Sequence, residues 1–197
     1  MPKNNREGQA TVLEDSDYLT IKNHFVNHKH KLIVDIAWWT GERMGAVCKL
    51  PVSCVFDVKG QPLTHITFPK RTRKASPDGT RKTRQVPVHK NLRAILREYW
   101  QLHKPNINSC LFPGSQQNVP IQFQSFDDAF RIALRKAGME SRGISTHSFR
   151  RSFITKLARK GIAASKIQKL TGHADLKVLS RYIEVSDDEL AEAIAVL

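Results

Sequence analysis

At 197 residues, 40% of them hydrophobic, the chain has enough material for one substantial core and too little for two. Its 32 lysines and arginines against 18 acids leave a formal charge of +14 and a pI near 10, a balance suited to a polyanionic partner rather than an acidic or apolar one. There is no run of eighteen apolar residues, no apolar leader after Met1-Pro2-Lys3, and no metal-ligand spacing among Cys48, Cys54 and Cys110, so the expectation is a cytoplasmic protein with free thiols, no membrane span and no structural metal.

Residues 1–14 are polar and aperiodic and read as a flexible N-terminal arm; 15–197 read as one domain. Ser16-Asp17 offers a cap for a first helix through Leu19, Phe25 and Val26. A second helix follows from about His30, with Leu32, Ile33, Ile36 and Ala37 on one face, and Gly41 breaks it. Arg43 opens a short helix carrying Met44, Val47 and Leu50, which Pro51 ends. An arginine at such a start can present its guanidinium to two phosphate oxygens at once; the plainer alternative is a surface arginine paired with Glu42 or another carboxylate.

Between Ser53 and Val88 the pattern becomes β-prone: Val55, Val58, Ile66, Phe68, Val86 and Val88 sit in short runs parted by Lys59-Gly60 and Ser76-Pro77-Asp78-Gly79. These predict a small three-stranded antiparallel sheet whose last two strands are joined by a basic turn from Lys70 to Arg84. The stripe Leu92, Ile95, Leu96 and Tyr99 predicts a helix ending near His103, and Phe126, Phe130, Ala133 and Leu134 predict another over about 123–137. The fold class is therefore α+β, mainly helical with a small sheet.

Charge is unevenly spread. Lys70 to Arg93 holds nine basic residues and one acid, Arg131 to Lys160 nine more and one acid, while Glu184 to Leu197 has five acids and no base. A basic body with an acidic, amphipathic end suggests one surface for DNA and another for protein.

The chemistry concentrates between Thr146 and Tyr182. A helix starting at Ser145 or Thr146 puts His147 and Arg150 on one face of its first turn, beside a buried face made by Phe149, Phe153 and Leu157. Leu170-Thr171-Gly172-His173 reads as a helix stopped by glycine, with His173 just beyond the stop. Leu176, Leu179 and Ile183 suggest a further short helix carrying Tyr182. Ser186 to Glu189 then caps a last helix with Leu190, Ile194 and Val196.

His147-Ser148-Phe149-Arg150, Leu170-Thr171-Gly172-His173 and Tyr182, together with Thr40-Gly41-Glu42-Arg43-Met44-Gly45 upstream, resemble the tyrosine recombinases, or phage integrase family. The likeness runs from about Lys31 to the C-terminus. It implies cleavage and rejoining of DNA strands through a covalent 3′-phosphotyrosyl bond at Tyr182, with Arg43 and Arg150 holding the phosphate, His173 donating to it and His147 assisting proton movement. It further implies a hairpin lysine as acid for the leaving group, for which Lys74 is the best placed, ahead of Lys70 and Lys82. DNA-backbone contacts fall to Lys70, Arg71, Arg73, Arg81, Lys82, Arg84 and Arg151. The set is cationic throughout, and the expected chemistry needs no metal or other cofactor.

Two departures stand out. The family usually carries an acid three positions after its first arginine, where this chain has Ala46, so something else must orient Arg43. Members commonly carry a helical DNA-clamping domain ahead of the catalytic one; here about fifteen residues precede the first helix, so no separate N-terminal core-binding domain is expected, and the chain resembles the short DNA-inverting members. Partners implied are double-stranded DNA, further copies of the chain docked through the C-terminal helix, and accessory DNA-binding proteins. The alternatives are a type IB topoisomerase-like activity and a DNA-binding regulator that keeps the fold without catalysis.

Overall fold

The centre of the molecule is its most apolar helical segment. Helix α2 (His28–Thr40) buries eight of its thirteen residues, among them Leu32, Ile33, Ile36, Ala37 and Trp38, so it is apolar around most of its circumference and has to be enclosed. Asn27 caps it by accepting the Lys29 N–H at 2.9 Å, and Gly41 stops it in the left-handed conformation at φ 62°. The computed structural model describes residues 9–73, 79, 81–116, 118–173, 179 and 194–195. Around α2 pack α1 (Asp15–Asn23), α3 (Met44–Val47), α4 (Lys90–His103) and α6 (Thr146–Arg159). Helix α5 (Phe123–Lys136) brings Phe126 and Phe130 to the same core, where Phe130 meets Phe149 edge-on at 5.9 Å.

A smaller apolar cluster holds α7 (Ala164–Thr171) against α6 through Ile154, Ile167 and Leu179, with Phe153 and Leu157 at its rim. Of the two helices expected beyond His173, only Leu179, Ile194 and Ala195 are described; the rest, Tyr182 included, lie outside the described residues.

The sheet is smaller than the sequence predicts. Strand β1 (His65–Phe68) pairs antiparallel with β2 (Arg84–Pro87), Ile66 opposite Val86, and among the described residues no third strand joins them. The run expected to supply it is a turn. Val52–Cys54 is a single 3₁₀ turn, Asp57 Oδ1 accepts the N–H groups of Lys59 and Gln61 at 2.8 Å each, and Phe56 forms only an isolated bridge with Pro62. An aspartate that satisfies backbone donors locally competes with ladder pairing, and Gly60 at φ 77° completes the reversal directly under Trp100. Val58 is left 84% exposed.

The N-terminal segment also departs from expectation. Residues 9–14 are not a loose arm: Leu13 is fully buried and donates its N–H to Ser152 Oγ at 2.6 Å, and the Thr11 N–H donates to Gly143 O at 3.2 Å. Glu14 then caps α1, its N–H donating to Asp17 Oδ2 at 3.1 Å, so the helix begins before the expected cap at Ser16. Residues 1–8 lie outside the described ones.

Candidate active site

Three helix ends converge on one cleft. The left-handed turn at Gly41 swings the chain from α2 into α3, so that Glu42 and Arg43 are presented between them. Gly41 is needed twice over, since a Cβ there would also lie 2.4 Å from the Phe153 ring. The first turn of α6 supplies His147, which is exposed, and Arg150, which is 4% exposed. The glycine stop of α7, Gly172 at φ 65°, places His173 beside them.

Arg150 is held from several directions. Its Nη1 donates to Gly41 O at 2.9 Å, and its Nη2 donates to Thr171 O at 2.9 Å and approaches His173 Nε2 at 3.0 Å. Carbonyls at two helix ends thus orient one guanidinium, and lysine could not reproduce that planar fork. The Thr171 hydroxyl donates to Ile167 O at 2.7 Å, so its 2.7 Å contact with His173 Nδ1 requires the proton on that nitrogen. The lone pair of Nε2 therefore faces Arg150. Burial, followed by the charges of Arg150, Arg43 and Arg84, pulls His173 down to about 3.

Glu42, read from sequence as at most a surface partner for Arg43, is 1% exposed and lies at the centre of the charges. Its Oε1 accepts the Arg43 N–H at 2.8 Å and stands 4.0 Å from Arg150 Nη1; its Oε2 accepts from Arg84 Nη1 at 2.7 Å and lies 3.2 Å from Arg73 Nε. Burial by itself would raise its carboxyl, but the charges of Arg84, Arg73 and Arg150 outweigh that and hold it below the usual carboxylate range. The sequence signal was available: an acid flanking the arginine motif of a chain with a large basic excess.

Two of the arginines assigned to the DNA backbone are accordingly committed elsewhere. Arg84 is 5% exposed, on the same inward face of β2 as Val86, and also donates to Thr40 O at 2.7 Å. Arg73 turns toward Glu42 and donates from Nη1 to Lys82 O at 2.7 Å. A buried carboxylate demands counter-charge, which is why these two point inward. Arg151 is half-buried and donates to Gln9 Oε1. Lys70, Arg71, Arg81 and Lys82 are exposed.

The resulting cleft, about 640 Å³, is lined by Arg43, Arg150, His147 and His173, with Arg71 and Arg81 at its basic margin. Four of the six expected catalytic residues are thereby together. Lys74 and Tyr182 lie outside the described residues.

A family model described as the phage integrase family matches residues 12–189. The chain belongs to that family. A tyrosine recombinase of Thermosipho africanus (strain TCF52B) is 25% identical over 166 residues, covering 84% of this chain and 53% of that protein, so the chain spans about half the length of that relative. In fold, the crystal structure of XerA recombinase matches with a TM-score of 0.70 at 23% identity, over 99% of this chain and 66% of that one. The Tn1549 transposon integrase in complex with transposon right end DNA matches with a TM-score of 0.71 at 15% identity, over 98% and 68%. The phage integrase fold is thus the mainly helical one with a small antiparallel sheet described above. No helix among the described residues is long and apolar enough to cross a membrane.

Proposed function

We propose that this chain is the catalytic unit of a site-specific DNA recombinase of the integrase or invertase type, working through a covalent 3′-phosphotyrosyl intermediate. The observation that carries it is the meeting of Arg43, His147, Arg150 and His173, distant in sequence, in one basic cleft. In this reading Arg43 and Arg150 hold the non-bridging oxygens of a scissile phosphate, where negative charge builds as a fifth oxygen approaches. The Tyr182 hydroxyl attacks phosphorus and passes its proton toward His147; the Tyr182 Oη–P bond forms, the P–O5′ bond breaks, and Lys74 protonates the departing 5′ oxygen. Attack by a 5′ hydroxyl of another strand runs the steps in reverse, conserving the bond energy without a nucleotide cofactor. His173, neutral in the free protein, becomes a donor to the phosphate once that anion offsets the neighbouring guanidiniums.

The partner in this reading is double-stranded DNA, engaged by Lys70, Arg71, Arg81 and Lys82. Further copies of the chain dock through the acidic C-terminal helix, since strand exchange requires protomers to hold one another, and accessory DNA-binding proteins add affinity. The place of action is the cytoplasm. The test is covalent trapping: the protein is incubated with nicked or supercoiled DNA in EDTA, denatured, and assayed for a protein–DNA adduct, with Tyr182→Phe as control. An adduct present in EDTA and lost in the variant is expected. DNA binding without an adduct on any substrate, including DNA from the protein's own genetic neighbourhood, would favour the non-catalytic regulator; relaxation of supercoils without partner exchange would favour the topoisomerase-like activity.

A further inference from the structure

We propose that Glu42 is the positioning residue of this cleft, one carboxylate whose two oxygens divide its arginines, Oε2 pairing with Arg84 and Arg73 and Oε1 setting Arg43 and Arg150 where they meet the phosphate. The inference rests on the strand-transfer reading above and adds a residue to it. The division is in the geometry. Oε2 takes the guanidiniums of Arg84 and Arg73, at 2.7 and 3.2 Å, while Oε1 takes the Arg43 backbone N–H at 2.8 Å and faces Arg150 at 4.0 Å. The Glu42 side chain has no exposed surface, so it acts through these neighbours.

Its removal would have a definite consequence. Arg73, Arg84 and Arg150 would then share a poorly hydrated volume with no anion among them, and the nearest anion available would be the substrate phosphate. Held by Glu42, Arg84 instead braces Thr40 O, and Arg150 braces Gly41 O at 2.9 Å. The stretch from Thr40 to Arg43 is thereby gripped on consecutive carbonyls and at the Arg43 N–H, which fixes where the Arg43 side chain departs. Arg73 extends the grip to the other end of the basic hairpin through Lys82 O. The orienting carboxylate thus stands one residue before Arg43, and Ala46, 5% exposed, has no charge to supply.

The test compares Glu42→Gln, Glu42→Asp and the double variant Glu42→Gln with Arg84→Met, on a DNA substrate that traps the Tyr182 adduct. Glu42→Gln is expected to slow single-turnover adduct formation by about tenfold or more, with the half-saturating DNA concentration changed by no more than about twofold. Glu42→Asp is expected to recover part of the rate. The double variant removes the most closely paired of the three stranded charges and is expected to regain part of the thermal stability without regaining rate. A Glu42→Gln rate equal to wild type, or a rate that returns with stability in the double variant, overturns the proposal. Arginine side-chain NMR spectra without DNA give a second readout: Arg150 guanidinium rotation, slow in the wild type, is expected to quicken in Glu42→Gln. If the wild type forms no adduct, the strand-transfer reading fails, and unchanged Arg150 rotation would separately defeat the positioning role.

Discussion

Burial and three guanidiniums pull His173 down to about 3, so in the free protein it stays neutral through the range where an ordinary histidine gains its proton. In the unfolded chain the same side chain protonates below about pH 6.5. Between those limits the unfolded state binds more protons, so His173 makes stability fall as pH drops from about 6.5 toward 3 and contributes no pH dependence above that window. Histidine NMR of the free protein is expected to show His173 flat to about pH 4, and duplex DNA is expected to raise its midpoint, because a phosphate adds negative charge beside the guanidiniums. A His173 titrating near 6.5 without DNA would remove this account. The identities and order of Arg43, His147, Arg150 and His173 were readable as a pattern. The charge state of His173 was not, since Arg43, 130 positions away, contributes to it.

Helices α4 and α5 were legible because each carries a strong apolar stripe: Leu92, Leu96 and Tyr99 along α4, and Phe126, Phe130 and Leu134 along α5, are buried as spacing requires. The stripe read for α1 was not, since Leu19 and Val26 are exposed and the helix ends at Asn23. The strand expected through Val55 and Val58 failed because side-chain capping by Asp57 was stronger than β-propensity. The N-terminal segment shows the opposite error. The short pair Val12-Leu13 has no periodicity, yet Leu13 is fully buried, tied by its N–H to Ser152 of α6, two residues from Arg150. Leu13→Ala is expected to cost about 2–5 kcal/mol, measured by urea unfolding. A loss below about 0.5 kcal/mol, the level of an ordinary surface substitution, would mean that the segment is not part of the core.

Across the molecule, the basic excess behind the formal charge of +14 includes arginines that neutralise Glu42 and arginines that face the cleft margin. The two groups should respond differently to substitution. Replacing Arg71 and Arg81 together by alanine is expected to leave stability nearly unchanged and to reduce the slope of log affinity against log salt for duplex DNA by about 2. Arg84→Ala is expected to leave that slope alone and to lower thermal stability instead, because it removes the closest counter-charge of a buried carboxylate. Equal loss of salt slope from Arg84→Ala would show that this arginine reaches DNA after all.

The sequence by itself determined the family, the helical scaffold and the residue types of the candidate site, since these depend on local periodicity and on ordered motifs whose spacing the chain displays directly. Which arginines turn inward, that Glu42 is their common anion, and that His173 is neutral were decided only by the tertiary structure. Charge interactions act through space and depend on burial, and neither the distance from Glu42 to Arg84 nor the loss of water around them is written in the order of residues.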